Sequence, residues 1–385
     1  MFHSSFIELN KAAYQQNISF LRSRFGPDVR FSAVIKGNAY GHGIENILPM
    51  AEELDIRHFS VFCADEALKA LNARTADSEI MIMGMIDDAA LEWAVEHDVS
   101  FYVFELERVK AAVEAAKKLR KPARMHIELE TGMYRTGFNR EELQEALDFI
   151  SDERQHLTIE GLCTHFAGAE SVTNYLRVKN QMKAYGKLHR MVDKSGIPYR
   201  MCHTACSAAA LRYPKTRMDM VRIGIAQYGL WPNRETYLFD VVERNGDETS
   251  ENPLRRVISW KSRVMSTKTV PPNRFIGYGT TYLTNHATDI ATVPVGYTHG
   301  FSRNLSNLGR VLVNGRRVPV IGLVNMNMMM VDVTGIEGVE KGSEVIIIGE
   351  KGGIDMTVGS FSELTNMLNY ETLARLPEKI PRYII

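Results

Sequence analysis

The stretch Ala33-Val-Ile-Lys36-Gly-Asn-Ala-Tyr40-Gly-His-Gly43 is a short apolar run that ends in a lysine and breaks at once into a glycine-rich, aromatic turn. A buried strand ending in lysine places a primary amine at the mouth of a pocket. Loss of hydration lowers the pKa of such an amine and makes it a nucleophile or a base. A lone lysine at a strand end is more often simply solvated. The rest of the chain decides between these readings.

Short β-branched or apolar runs recur at Phe31–Lys36, His58–Cys63, Glu79–Gly84, Ser100–Phe104, Arg124–Glu130, Thr158–His165, Tyr199–Ala205 and Met220–Gly224. Each suits a parallel strand buried on both faces. Helical spacing of apolar residues fills the gaps, as in Leu106–Leu119, Arg140–Ile150 and Ser171–Val192. Eight strands with helices between them predict a (β/α)8 barrel. An open doubly wound sheet competes, but the chain has no Gly-x-Gly-x-x-Gly turn after a strand. Beyond Trp231-Pro232 the pattern changes, and the polar run Asn245–Pro253 reads as a loop or linker. Strand-like runs follow at Val257–Val270, Ile290–Val295, Arg310–Val313, Val318–Val324, Met328–Val333 and Glu344–Gly349. The expected fold class is therefore α/β, a TIM-type barrel over residues 1–235 and a β-rich C-terminal domain over 236–385.

Bulk properties narrow the function. The chain has 385 residues, 45% hydrophobic and 24% charged, with a formal net charge of +0. That composition is ordinary for a soluble globular protein and offers no electrostatic case for nucleic acid or an anionic membrane. No apolar run is long enough to span a bilayer, and the N-terminus lacks the pattern of a signal peptide. Cys63, Cys163, Cys202 and Cys206 lie in or beside apolar segments, which suits reduced thiols and a cytoplasmic protein. Cys202-His203 and Cys206 do not have a common zinc spacing, so no metal is expected.

In a barrel of this kind, reacting groups come from the carboxyl ends of the strands. The first strand ends in Lys36 and the fifth runs into Glu130-Thr-Gly-Met-Tyr-Arg135. The sixth ends in His165, the seventh passes His203 on the way to Ser207, and the eighth ends in Arg222-Ile-Gly224-Ile225. So many reactive or anion-binding residues on one face are hard to read as solvated strand ends. The amine suggests Schiff-base chemistry, and Ser207 with the Gly224-Ile225 amides suggests a phosphate cradle. From these residues alone, a phosphate-carrying aldehyde, a sugar phosphate and pyridoxal phosphate all remain open.

The motif around Lys36 resembles the cofactor-lysine motif of the alanine racemases. Glu130-Thr-Gly-Met-Tyr-Arg135-Thr-Gly-Phe, Gly161-Leu-Cys-Thr-His165-Phe-Ala, His203-Thr-Ala-Cys-Ser207 and Asp219-Met-Val-Arg222-Ile-Gly224-Ile225 resemble family motifs in the same order. So do Gly277-Tyr278-Gly279, Val293-Pro-Val-Gly-Tyr297, Asn325-Met326-Asn327 and Pro381-Arg382. The resemblance implies a pyridoxal 5'-phosphate enzyme that interconverts L- and D-amino acids with two bases. Lys36 would hold the cofactor as an imine and serve as one base. Tyr278 would be the other, contributed across a homodimer. Tyr40, Ser207, Gly224 and Ile225 would bind the phosphate, and His165 would lie against the ring. Arg222 would face the pyridine nitrogen with His203 behind it. Arg135 and the Met326 amide would hold the substrate carboxylate.

The chain departs from the family pattern near the substrate. Glu128 stands where many relatives carry a lysine that becomes carbamylated, and is expected to pair with Arg135. Asn325 and Asn327 replace the usual cysteine and aspartate, Leu323 replaces an arginine, and Glu378 aligns with a tyrosine. A more polar pocket would allow serine, lysine, ornithine or arginine beside alanine. A decarboxylase of basic amino acids on the same fold, or a non-catalytic cofactor-binding relative, are the rival functions. Arg222 and Tyr278 speak against the first, and retention of both Lys36 and Tyr278 against the second.

Overall fold

A computed structural model of the chain describes residues 3–244, 246, 251–365 and 367–385. Part of the expected linker, Asn245–Pro253, lies outside the described residues. The chain divides into two compact units. One comprises Ala12–Gly37 and Ile44–Arg255; the other takes the segment up to Lys11, Asn38–Gly43 and everything from Arg256 onward. This differs from a division at 235/236. The reason is strand pairing: β1 (Ser5–Leu9) hydrogen-bonds with strands from the far end of the sequence.

The larger unit is the barrel. Its strands are β2 (Arg30–Val34), β3 (His58–Val61), β4 (Glu79–Ile82), β5 (Ser100–Val103), β6 (Ala123–Glu128), β7 (Leu157–Cys163), β8 (Met201–His203) and β9 (Met220–Ile223). They form one parallel eight-stranded sheet in the order β8-β7-β6-β5-β4-β3-β2-β9. Just beyond β8, an Arg222 N–H donates to Ala205 O at 2.9 Å and a bridge joins Cys206 to Arg222, which nearly closes the ring. All eight strands anticipated from sequence are present. Helices separate them, such as Leu106–Leu119 and Arg140–Asp152. The second of these is started by a capping box between Asn139 and Glu142.

The strands are buried, but their interior is not purely apolar. Ser32, His58, Ser60, Ser100, His126, His203 and Arg222 are all buried inside this unit. Interior layers of such barrels are usually filled by branched aliphatics. Polar groups placed here must be hydrogen-bonded, because an unpartnered buried donor or acceptor is costly. At the strand starts, Arg30 and Arg124 both pair with Glu79, and Glu160 pairs with Arg124 and Arg200.

The other unit is a mostly antiparallel sheet. It contains β10 (Ile258–Arg263), β11 (Ser266–Val270), β12 (Thr288–Val293), β13 (Arg310–Val313), β14 (Arg316–Ile321), β15 (Met329–Asp332), β16 (Glu344–Lys351), β17 (Ile354–Met356) and β18 (Arg382–Ile384). The order is β11-β12-β15-β14-β13-β16-β10-β1-β18, with β17 beside β16. The run expected as one strand, Val257–Val270, is two: β10 pairs with β1 and β16, whereas β11 pairs with β12. β1, β17 and β18 were not anticipated, because three to five residues give too little periodicity to read.

Candidate active site

Lys36 does not end a strand. β2 stops at Val34, the Ile35 N–H still donates to Ser60 O at 2.9 Å, and Lys36 opens a turn. Gly37, Asn38, Ala39 and Tyr40 follow with φ of 60°, 51°, 53° and 52°. A run of left-handed residues is rare, costing about 1–2 kcal/mol for each non-glycine residue. The turn closes on itself through Gly43 N–H to Asn38 O (2.9 Å) and His42 N–H to Ala39 O (3.1 Å). The His42 ring adds Nδ1–H bonds to Ala39 O and Tyr40 O, each 2.9 Å.

Before the turn, the Glu66 carboxylate accepts the Gly37 N–H at 2.5 Å and the Phe62 N–H at 2.8 Å. Burial holds the Lys36 amine below the ordinary lysine range. The positive charge of Arg135 and then Arg222 pushes in the same direction, while Glu66 opposes. A depressed amine carries a larger neutral fraction, the form that can attack a carbonyl or accept a proton.

Arg222 organises the centre of the barrel. One terminal nitrogen donates to His203 Nδ1 (2.6 Å) and His203 O (2.6 Å), the other to Thr164 O (2.7 Å) and Thr204 O (3.2 Å). A guanidinium has five N–H donors, so these four acceptors leave Nε–H, which has no partner among the described residues. Since Arg222 can only donate, His203 Nδ1 must accept. His203 therefore carries its proton on Nε2 and donates to His126 Nδ1 at 2.8 Å. His126 in turn presents Nε2–H to Ser100 Oγ at 3.3 Å, and Ser100 donates to Ile80 O at 3.3 Å. Burial drives both histidines far below the ordinary imidazole value, with Arg222 contributing in the same direction, so both are neutral. Gly161 makes room for the chain: a Cβ there would stand 2.5 Å from His126 Nδ1 and 2.9 Å from His203 Nε2.

Ser207 is buried and its Oγ accepts the Gly224 N–H at 3.0 Å. The hydroxyl proton has no acceptor among the described residues. Ser207 opens the short helix Ser207–Arg212, and Gly224 precedes the 3-10 turn Ile225–Tyr228. Backbone N–H groups of such first turns lack intrahelical acceptors. His165 follows β7; burial, then Arg222, Arg135 and Lys36, push its pKa down to about 3, so it too is neutral.

Arg135 is exposed on the loop after β6. Two carboxylates shape that loop. Glu130 accepts backbone N–H groups from Gly132, from Met133 at 2.9 Å and from Tyr134 at 2.8 Å. Glu128 accepts the Thr136 hydroxyl at 2.8 Å. The expected direct ion pair between Glu128 and Arg135 is absent among the described residues. Glu128 instead grips the next residue along, and Arg135 acts on it only through its field.

Lys36, Arg135, His165, Ser207, Arg222, Gly224 and Ile225 all belong to the barrel unit, whereas Tyr40, Tyr278 and Met326 belong to the other. Tyr278 is 72% exposed and sits between Gly277 (φ +68°) and Gly279 (φ +71°), which turn it outward. Met326 is exposed, its carbonyl accepts from Thr298 N–H (3.1 Å) and Thr298 Oγ1–H (2.8 Å), and its own N–H has no acceptor among the described residues. Asn327 Nδ2 donates to Thr298 Oγ1 at 3.2 Å. Sequence reasoning missed His126, Glu66 and Gly161 as parts of this site. The signal for His126 is present, a histidine in the alternation of a buried strand, whereas its pairing with His203 is not.

Comparison with known proteins gives a consistent result over the whole chain. The family model of the alanine racemase N-terminal domain matches residues 9–232, and that of the C-terminal domain matches residues 257–384. An alanine racemase of Leptospira interrogans is 35% identical over 389 aligned positions, covering 100% of this chain and 96% of the relative. Among solved structures, alanine racemase from Bacillus anthracis with bound L-Ala-P superposes with a TM-score of 0.91 at 30% identity. That match covers 100% of this chain and 96% of the other. Alanine racemase of Clostridium difficile 630 superposes at 0.90 with 29% identity and the same coverage. The Bartonella henselae enzyme, with covalently bound pyridoxal phosphate, shares the fold at 0.84 and 23% identity.

Proposed function

The chain belongs to the alanine racemase family and is a pyridoxal-phosphate-dependent amino-acid racemase, in which, we propose, Lys36 and Tyr278 are the two bases. The residues of the barrel fit the cofactor. Lys36 offers an amine of lowered pKa, Ser207 a buried hydroxyl with its proton to give, and Arg222 one uncommitted N–H. That remaining Nε–H of Arg222 is the observation that carries the reading. A donor with no acceptor of its own in a buried polar centre fits a pyridine nitrogen.

When bound, the cofactor supplies an electron sink that acidifies the substrate Cα–H. The chain supplies the rest. Lys36 Nζ takes or returns a proton on one face, and the Tyr278 hydroxyl does so on the other. Tyr278, exposed between two glycines, reaches the site of a second copy, making the enzyme a homodimer with shared sites. Arg135 and the Met326 N–H hold the substrate carboxylate. Tyr40 and Ser207, with the amides of Gly224 and Ile225, would hold the phosphate, and neutral His165 would lie beside the ring. Arg222 keeps its protons, so it would donate a hydrogen bond to the ring nitrogen without giving up a proton. A guanidinium donor at that place, in contrast to an acid, speaks against a decarboxylase.

Asn327 donates one of its two amide hydrogens to Thr298 Oγ1, in the neighbouring turn Tyr297–His299, and keeps the other and its carbonyl oxygen. The four cysteines are free, in keeping with a cytoplasmic protein. Among the described residues no helix is long and apolar enough to cross a membrane. The test is Cα-proton exchange in heavy water together with chiral product analysis across a panel of amino acids. Exchange and racemisation of alanine, lost in Lys36→Ala and impaired in Tyr278→Phe, are expected. Exchange unaffected by Tyr278→Phe would overturn the two-base assignment. Release of carbon dioxide from lysine or ornithine would overturn the reaction class.

A further inference from the structure

The left-handed turn after Lys36 is strained, and strained backbone persists only where its surroundings over-determine it. Its surroundings come from the C-terminal segment. Arg382, the first residue of β18, donates from Nε to Gly41 O at 2.9 Å. One terminal nitrogen of the same guanidinium bonds to Pro377 O (3.1 Å), Glu378 O (3.0 Å) and Ile380 O (2.5 Å), and the other to Leu376 O (3.4 Å). Gly41 has φ +77°, and a Cβ there would stand 2.1 Å from Leu373 O, so the turn lies flush against the same segment. The Tyr40 ring sits against that of Tyr370, with centroids 6.0 Å apart.

A single side chain thus ties five backbone carbonyls together, and one of them belongs to the turn that carries Tyr40. Only a planar fork with donors on three nitrogens can span such a set; a lysine ammonium is a point donor. We propose that Arg382 is a positioning residue for the cofactor: by clamping Gly41 to the 376–380 carbonyls it holds the left-handed turn that presents Tyr40 and follows Lys36. The inference rests on the assignment of Lys36 and Tyr40 to the cofactor.

The test compares wild type, Arg382→Gln, Arg382→Lys and Lys36→Ala, each as full-length apoprotein titrated with pyridoxal phosphate. Equilibrium dialysis gives the affinity, borohydride fixation with peptide mapping gives the attachment point, and amide hydrogen exchange reports His42 and Gly43. Both Arg382 variants are expected to bind the cofactor at least ten-fold more weakly, with faster exchange at His42 and Gly43 and unchanged exchange in the barrel strands. The Lys variant carries the test if the Gln variant does not fold. Wild-type affinity and exchange in a folded Arg382 variant would overturn the proposal. So would a uniform rise in exchange along the chain, which marks a general stabiliser. Failure of wild type to fix the cofactor on Lys36 would overturn the underlying assignment as well, and is thereby distinct from failure of the clamp alone.

Discussion

Arg222 lies 2.6 Å from His203 Nδ1, and that contact sets the direction of every hydrogen bond behind it. The guanidinium can only donate, so the proton of His203 is on Nε2, and that of His126 is on Nε2 as well. Three buried side chains thereby share one protonation pattern. Protonating either imidazole would leave two donors facing each other in the barrel centre. Burial and the neighbouring charge oppose this, which is why both histidines are held far below their ordinary pKa.

Gly161→Ala tests that chain from β7, the strand between those of His126 and His203. The new Cβ would stand 2.5 Å from His126 Nδ1, so the His126–His203 bond must stretch or break. A buried unsatisfied donor plus local overpacking costs about 2–4 kcal/mol. Urea unfolding is expected to show that loss. Combining Gly161→Ala with His126→Ala relieves the clash and recovers part of it, measured as a non-additive double-mutant cycle.

Lys36 gives a prediction with a defined sign. In the apoprotein, competitive acetylation against pH should return a midpoint below the ordinary value of 10.5. Arg135→Gln removes a repelling cation and moves the midpoint up. Glu66→Gln removes an attracting carboxylate and moves it further down. A midpoint unmoved by both changes would show that neither Arg135 nor Glu66 sets it, leaving burial and Arg222.

These groups were unequally legible in the sequence. The barrel could be read because each strand is a short buried apolar run, and burial leaves a compositional mark on every one. Lys36, His165, Ser207 and Arg222 could be read because strand ends are where such a barrel places its chemistry. What could not be read depends on pairs distant in sequence. β1, Ser-Phe-Ile-Glu-Leu, is too short and mixed to read as a strand until β10 and β18 flank it. Gly161 has a reason only once two rings meet beside it. Glu128 was expected to bind Arg135, but the hydroxyl of Thr136 lies nearer, and only geometry distinguishes neighbours one residue apart.

Glu160 anchors the far end of the barrel and should be silent in catalysis. Its carboxylate is 2% exposed and is held by Arg124 at 2.6 Å and Arg200 at 3.1 Å. Glu160→Gln breaks both pairs. The freed guanidiniums retain access to water, and Arg124 keeps Glu79, so the cost is about 1–2 kcal/mol, below that of a fully buried pair. Chemical denaturation should report this loss with turnover unchanged. A change in turnover larger than about two-fold would link the two ends of the barrel.

Glu128 gives the pH dependence. Burial pushes its carboxyl above the ordinary value of 4.5, against the Thr136 hydroxyl and the charges of Arg222 and Arg135. A raised folded pKa means that, between the unfolded and folded values, the native state binds more protons than the unfolded chain. Stability then falls as pH rises through that window, and the penalty is complete above it. Glu128→Gln removes this dependence. Its unfolding free energy relative to wild type should improve steadily from acid to neutral pH. Thr136→Val takes away the hydroxyl that stabilises the carboxylate, so it should push the Glu128 pKa higher still and move the fall in stability to higher pH. A stability profile for Glu128→Gln that parallels wild type across the range would show that this carboxyl titrates alike in both states.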